Sequence, residues 1–454
     1  MNTDQKLGQT KITPLLFRMS GPAIISMLVQ AAYNIVDSIF LANYNENALS
    51  AVSLAFPIQM IIIAIFVGLG IGINSVISRR LGEGKKDEAV NSAEHGFFFG
   101  IIIWVVLALC SIGLPKIFFS QFTQTQQIID YGISYISIIL VFSFGRILTQ
   151  VVISILQATG DMFSAMVIQL VGAITNIILD AFLIFGIWIF PELGITGAAI
   201  ATVIGQLVSM ILAFVILFTK KNGLRLNLKK FKLNSTISKN ILIVGIPAGI
   251  MQALGSILIG GLNGILSKFG DDAYTLLGVY FKIQSIVFMP IFGLCQGMMP
   301  ILGYNYGAGN KKRVIETLKV GIIAAVSIMI VGTLAFQLFP AQILSVFNAN
   351  DNMLSIGIPA FRIISSCFVF AAISIIISTL FQALGDAYLS MIASFTRQII
   401  VILPAATILS RTYGLQGTWF AFPISEVVCV SVVIAFAIYE YNRKIKNLVP
   451  IERN

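Results

Sequence analysis

The chain has 454 residues, of which 57 % are hydrophobic and only 11 % charged, with a mean hydropathy of +0.94 and a formal net charge of +10. A soluble domain carries about 25 % charged residues, so a water-soluble globular protein is excluded and no separate soluble domain of any size fits. The four cysteines (Cys110, Cys295, Cys367, Cys429) lie apart in apolar runs without CxxC spacing, which argues against disulfides and metal ligation.

Apolar stretches that can cross a hydrocarbon core of ~30 Å, which takes about 20 helical residues, are expected at 15–42, 47–78, 92–114, 131–157, 162–190, 194–219, 240–267, 273–303, 314–339, 355–384, 388–411 and 414–440. The expected fold is therefore an all-α membrane protein of about twelve transmembrane helices. The first run follows Lys6, Lys11 and Arg18 and continues too far for a cleaved signal peptide. Along it, Ser26, Gln30, Tyr33 and Asp37 recur at spacings of four, three and four, which puts them on one helical face. His95, the sole histidine, stands beside Glu94 at the start of the third span, where an interfacial position is expected. Arg146 lies at mid-depth in the fourth span and is the natural structural partner for a nearby acid. The fifth span repeats the polar stripe with Gln169, Gly172, Asn176 and Asp180, and the sixth carries Thr202, Gln206 and Ser209.

Seven basic residues then crowd the stretch from Lys220 to Lys239. In the second half, Met289, Met298 and Met299 are candidates for an adaptable cavity lining. Lys282, Arg362 and Arg397 are basic residues within spans and are expected to lack local acids. Glu426 in the twelfth span is the one deep acid of that half.

Basic residues also set the orientation. With an even number of spans, 22 of the 29 Lys and Arg fall on the side that holds both termini, while Lys116, Lys268 and Arg411 fall on the other. The positive-inside rule makes the first side cytoplasmic in a multi-pass plasma-membrane protein. The charge is a topology signal with a role in contacting anionic membrane lipid, and nucleic acid is not an expected partner.

The halves repeat one another. LQATGDMFSAM (156–166) returns as FQALGDAYLSM (381–391), LGEGKKDEAV (81–90) as YGAGNKKRVI (306–315), and Pro22 as Pro247, each 225 residues apart; GITGAAIA (194–201) returns as GLQGTWFA (414–421) at 220. The expected domains are a six-helix lobe over 1–219, a cytoplasmic basic linker over 220–239 and a second six-helix lobe over 240–454. Each half enters from the same side, so the two are parallel repeats forming pseudo-symmetric bundles. Secondary transporters built this way place the substrate site between the halves.

A charge deep in a bilayer costs ~2.5–3.5 kcal/mol on insertion scales, so Asp37 and Asp180 mark a functional site. Two neighbouring carboxylates suit proton binding and release. With Asn and Thr oxygens beside them, they equally suit a small hard cation such as Na+. A structural pairing of Asp180 with Arg146 is the alternative.

The chain resembles the multidrug and toxic compound extrusion (MATE) family over essentially its whole length. The resemblance rests on PAIISMLVQAAYNIVDSIFLA, SRRLGEGKKDEA, LQATGDMFSAM, NIILDAFLIFG, LGITGAAIAT and FGLCQGMMPILGYNYGAGNKKR. It implies an N-lobe cation site at Asp37, Asn176, Asp180 and Thr202, binding H+ or Na+ as coupling ion with no other cofactor, and a helix bend at Pro22. The acids that other branches carry in the seventh, eighth or tenth span are missing here. Gln30, Tyr33, Met289 and Glu426 are candidate cavity residues. The implied activity is efflux of small-molecule drugs, often organic cations, by ion-coupled antiport. A lipid-linked saccharide flippase of related architecture is a rival transporter reading. A membrane-embedded enzyme is the rival of another class, although the chain offers no nucleophile–base or metal-ligand cluster.

Overall fold

The computed structural model describes residues 5–220, 224, 226, 231–347 and 349–451; the greater part of the basic stretch 221–230 lies outside them. Among the described residues the chain is helical without strands, as a bilayer demands when every backbone polar group must be satisfied within its own segment. The helices are α1 (Ile12–Tyr44), α2 (Glu46–Gly82), α3 (Lys86–Cys110), α4 (Leu114–Phe122), α5 (Gln126–Val141), α6 (Phe144–Ala158), α7 (Met162–Phe185) and α8 (Gly194–Thr219) in the first half. The second half has α9 (Ser235–Leu266), α10 (Asp271–Gly307), α11 (Lys311–Leu338), α12 (Pro340–Ser345), α13 (Asp351–Ser365), α14 (Phe368–Leu384), α15 (Ala387–Phe395), α16 (Leu403–Trp419) and α17 (Ala421–Glu440).

Among the described residues ten continuous helical stretches are long and apolar enough to span a membrane, and two bent pairs, α5 with α6 and α13 with α14, each at 46°, bring the number to twelve if each counts as one span. The bends occupy equivalent places in the two halves. At each, side chains take carbonyls from the helix ladder: Ser143 Oγ donates to Leu140 O (2.8 Å), and Ser366 Oγ and Cys367 Sγ donate to Ile363 O (2.6 Å) and Ile364 O (3.0 Å). Such competition from short polar side chains bends helices. These are the fourth and tenth spans, both longer than the minimum needed to cross the core. The fifth ends at Phe185, five residues short of the expected 190, because Gly186 caps it in the left-handed region (φ 65°). In the eleventh, residues Thr396–Ile402 form a π-helical turn just before Pro404, and Gly414 (φ 66°) breaks α16 where the twelfth span begins.

Both termini lie at one end. Ile451 N–H donates to Ala308 O (3.1 Å), Lys311 Nζ to Lys446 O (3.0 Å), and Arg313 to Leu7 O (2.9 Å) and Thr10 O (2.8 Å). At this end the halves press together through small residues. A Cβ on Gly68 would stand 2.5 Å from Gly245 O and 2.9 Å from Gly249 N, and one on Gly297 would stand 2.4 Å from Ser20 Oγ. Glycine here permits backbone-to-backbone approach of α2 to α9 and of α1 to α10, the packing that drives helix association in lipid. Hydrogen bonds cross the same seam: Ser75 Oγ to Gln382 O (2.6 Å), Gln157 Nε2 to Gln296 Oε1 (3.1 Å) and Ser20 Oγ to Leu294 O (3.4 Å). The N-terminal turn seals it, with Leu7 fully buried, Lys6 bonded to Gly160 O, and Asn305 Nδ2 donating to Leu7 O (3.1 Å). Towards the other end the halves part. Among the described residues no hydrogen bond joins them there, and a Cβ added at Gly255, Gly260 or Gly264 of α9, or Gly278 of α10, would meet nothing within 4 Å.

Candidate functional site

The polar stripes of α7 and α8 face each other along an antiparallel crossing. Ser209 Oγ donates to Ile168 O (3.2 Å) near its lower end, Gly172 packs on Gly205 and Ser209, and Asn176 meets Thr202 above them. A Cβ at 172 would stand 1.9 Å from Ser209 Oγ and 3.2 Å from Gly205 O, so glycine lets the two helices cross this closely. The helix α1 runs unbroken through Pro22, with Ser26 Oγ donating to Pro22 O (3.0 Å). It carries Tyr33 beside Thr202 and Asp37 within electrostatic range of Asp180. The four site residues and Tyr33 thus come together in one half. Asp37, Asp180 and Thr202 stand seven, five and eight residues from the nearest helix ends, roughly 8–12 Å below them at a rise of ~1.5 Å per residue. The early end of α7 brings Asp180 to the depth of the others.

Asp180 is fully buried and Asn176 nearly so, at 4 % exposure. The Asn176 amide satisfies both neighbours when its nitrogen donates to Asp180 Oδ2 (3.0 Å) and its oxygen accepts from the Thr202 hydroxyl (3.3 Å) and N–H (3.1 Å). Asp37 Oδ1 and Asp180 Oδ1 are buried without a hydrogen-bond partner. An unsatisfied buried carboxylate oxygen costs free energy, and a proton or a small cation removes that cost. Among the described residues no three His, Cys, Asp or Glu side chains gather as for a transition metal. Two carboxylates with an amide and a hydroxyl suit a monovalent hard cation instead.

The alternative partner does not engage. Arg146 is half-buried on α6 and interacts electrostatically with Tyr33, yet forms no ion pair with Asp180. Two residues outside the sequence-based set join the cluster. Tyr135 of α5 is buried near Asp37 and Tyr33, and Gln59 Nε2 of α2 donates to its hydroxyl (3.1 Å). A lone glutamine inside an apolar run was the available signal for Gln59; Tyr135 carried none.

Of the cavity candidates, Gln30, Tyr33 and Met289 are half-buried, whereas Met298 and Met299 are core residues. Glu426 is 8 % exposed and pairs with Arg397 Nη1 at 2.9 Å. This corrects the expectation that Arg397 lacks a local acid: the pairing runs between adjacent helices and leaves no mark along either one. Arg362 turns onto Gln337 O (3.3 Å), and Lys282 is exposed. His95 is fully buried within the protein, holding Asn91 O with Nδ1 (2.8 Å) and accepting Asn234 N–H at Nε2 (2.9 Å) just before α9 begins.

Two halves with paired acids in one and a seam closed at the end bearing the termini fit a membrane transporter. The sequence profile of the family described as MatE matches residues 22–182 and again 247–407, the same 225-residue offset that relates the repeats. The chain belongs to the MatE family. Its relatives include a probable multidrug resistance protein NorM of Thermotoga maritima, 26 % identical over 417 residues and covering 91 % of this chain and 89 % of the relative. An FAD transporter of Shewanella oneidensis is 27 % identical over 428 residues, covering 91 % and 92 % respectively. A solved multidrug resistance MATE family transporter of the MOP superfamily, in an outward-facing conformation, superposes with a TM-score of 0.92 at 26 % identity over 98 % of this chain and 99 % of that one.

Proposed function

We propose that this chain is an ion-coupled efflux antiporter that exports amphipathic compounds, often cationic, in exchange for inward H+ or Na+ bound at Asp37, Asn176, Asp180 and Thr202. The observation that carries the reading is the pair of partnerless carboxylate oxygens, on Asp37 and Asp180, gathered at one depth with Asn176 and Thr202. With the basic, terminus-bearing end taken as cytoplasmic and the membrane as the plasma membrane, the closed seam makes the conformation outward-facing and leaves the acid cluster in the outer half.

Exchange requires that the ion and the drug favour different packings of the same half, since a ligand shifts a conformational equilibrium only by its differential affinity. Each charge moved inward gains ~2.3 kcal/mol per 100 mV of membrane potential. A flippase for anionic lipid-linked saccharides is less well supported, because the paired acids Asp37 and Asp180 of the first half suit a cation and repel an anionic headgroup. The Shewanella relative is named as an FAD transporter, and FAD is an organic anion.

The test is ethidium movement in proteoliposomes under a pH gradient or a Na+ gradient, imposed separately, for wild type and Asp37→Asn. One gradient should drive export in the wild type, and the variant should lose at least ~90 % of it while still binding ethidium. Gradient-driven movement undiminished in the variant would remove Asp37 from coupling.

A further inference from the structure

The C-terminal half carries a charged site of its own at the helix crossing equivalent to the one described above. By the repeat offsets, Arg397 stands where the first half has Gly172, and Glu426 where it has Gln206. In the first half that crossing is closed by small residues; in the second it is occupied by the 2.9 Å Arg397–Glu426 pair. The π-helical turn Thr396–Ile402 presents Arg397, and such turns recur at functional sites.

The pair is only partly satisfied. Glu426 Oε2 is buried without a partner, and so is the hydroxyl of Tyr280 on α10. Tyr280 is fixed there by edge contacts with Phe361 and Phe422, the latter one turn before Glu426 on α17 (ring centroids 6.0 and 5.7 Å). The Arg397 guanidinium has five N–H donors, of which one is taken by Glu426. Nor is the pair sealed, for the Arg397 side chain is 24 % and that of Glu426 10 % exposed. The other groups facing the carboxylate are Cys367, at the bend between α13 and α14, and Cys429 of α17, with Ser374 of α14 beside Cys429. No second cation competes with Arg397 for Glu426 among the described residues.

We propose that Arg397 and Glu426 form a second substrate site, selective for the carboxylate or phosphate group of an organic anion, in which that anion displaces Glu426 from the guanidinium as Glu426 takes up a proton. The balance closes. The resting site holds one positive and one negative charge; the occupied site holds Arg397, a carboxylate or a singly charged phosphate group of the ligand, and a neutral carboxylic acid. Its net charge is unchanged, so substrate enters without leaving an uncompensated buried charge, the state that makes broken buried pairs costly. The guanidinium fork matches both oxyanion types, and the freed carboxylic acid finds the Tyr280 hydroxyl as an acceptor. The inference rests on the transporter reading above, and it makes the two halves complementary: acids for the coupling ion in one, a gated base for anionic cargo in the other.

The test uses the full-length protein in phosphatidylcholine vesicles, with carboxyfluorescein as anionic probe and ethidium as cationic control. Wild type should bind carboxyfluorescein more tightly as pH falls. Glu426→Gln should bind it about tenfold or more tightly at neutral pH, with the pH dependence flattened, and Arg397→Gln should lose about tenfold or more, the size of one charge-assisted hydrogen bond. The double variant, which removes both charges together and so keeps the site neutral, should fold with the helical content of the wild type and fail to bind carboxyfluorescein. Loss of ethidium movement in the wild type would count against the efflux reading, whereas wild-type carboxyfluorescein binding with an unaltered pH dependence in Glu426→Gln would overturn the anion site alone. Equal displacement of the probe by added phosphatidylglycerol in every variant would assign the binding to lipid and likewise overturn it.

Discussion

At the scale of single residues, the decisive group in the first half is the Asn176 amide. Turned so that its nitrogen donates to Asp180 and its oxygen accepts from Thr202, the amide satisfies both neighbours, and in that setting it donates where a bound proton or cation would otherwise satisfy the carboxylate. Cation binding calls for the amide oxygen instead, which ties ion entry to a rotation of one side chain. Asn176→Ala removes both roles and should weaken ion binding about tenfold or more, read as Na+ or H+ uptake by the purified protein, while Thr202→Ser should remain near wild type. Equal ion affinity in Asn176→Ala would exclude the amide as a ligand. The spacing of Asn176 and Asp180 was legible along α7, and so was that of Tyr33 and Asp37 along α1. The orientation of the amide, and the absence of Arg146 from the pair, depend on contacts between helices that no single stripe encodes.

At the scale of elements, the repeated Gly-Asp loops acquire a physical purpose. Gly160 (φ 84°) and Gly385 (φ 90°) occupy the left-handed region that L side chains disfavour. The aspartate that follows each one ties the start of the fifth helix of its half to a lysine at the end of the sixth: Asp161 to Lys220 at 2.9 Å, and Asp386 to Lys444. Asp161 also caps α7, accepting Ser164 N–H (3.2 Å) and Oγ–H (2.7 Å). Burial alone would raise its carboxyl, but the Ser164 and Lys220 bonds outweigh that and hold it below the usual carboxylate range. A depressed native pKa contributes stability that is present above the unfolded value of ~3.9 and is lost as pH falls through the native one. Asp161→Ala should therefore cost about 0.5–2 kcal/mol at neutral pH, the size of a lost cap. The difference in Tm between wild type and variant should shrink below about pH 4. A constant difference down to strong acid would show that the carboxylate charge contributes nothing. The repeat itself was readable in sequence; its lysine partners lie 59 and 58 residues away, where no local pattern points.

At the scale of the whole molecule, the closed seam and the parted far end are one arrangement of two halves held by small-residue crossings and a few bonds. Transport by alternating access requires that seam to open. Gln157 and Gln296, whose amides meet at 3.1 Å across it, offer a direct handle. The double variant Gln157→Cys with Gln296→Cys, in a chain whose native cysteines are replaced by serine, should be joined by a short cleavable methanethiosulfonate cross-linker. Ethidium movement should then fall to the level of empty vesicles and return on reduction. Transport continuing while cross-linked would mean that this seam stays shut throughout the cycle. The N-terminal turn belongs to the same latch, since Lys6 holds Gly160 in the first half while the Leu7 carbonyl accepts from Asn305 and Arg313 in the second.

The sequence by itself determined the membrane-spanning helical class, the number and approximate limits of the spans, the duplication and the polar faces that meet near Asp180. Those properties follow from hydropathy, helical periodicity and repeated segments, all of which are recorded along the chain. Only the tertiary structure decided where spans bend, which end is shut, that His95 is buried, and that Arg397 rather than Arg146 neutralises an acid. The reason is physical: a buried charge or amide is satisfied by whichever neighbouring helix brings a partner within about 3 Å, and helix neighbours are chosen by packing across the whole bundle.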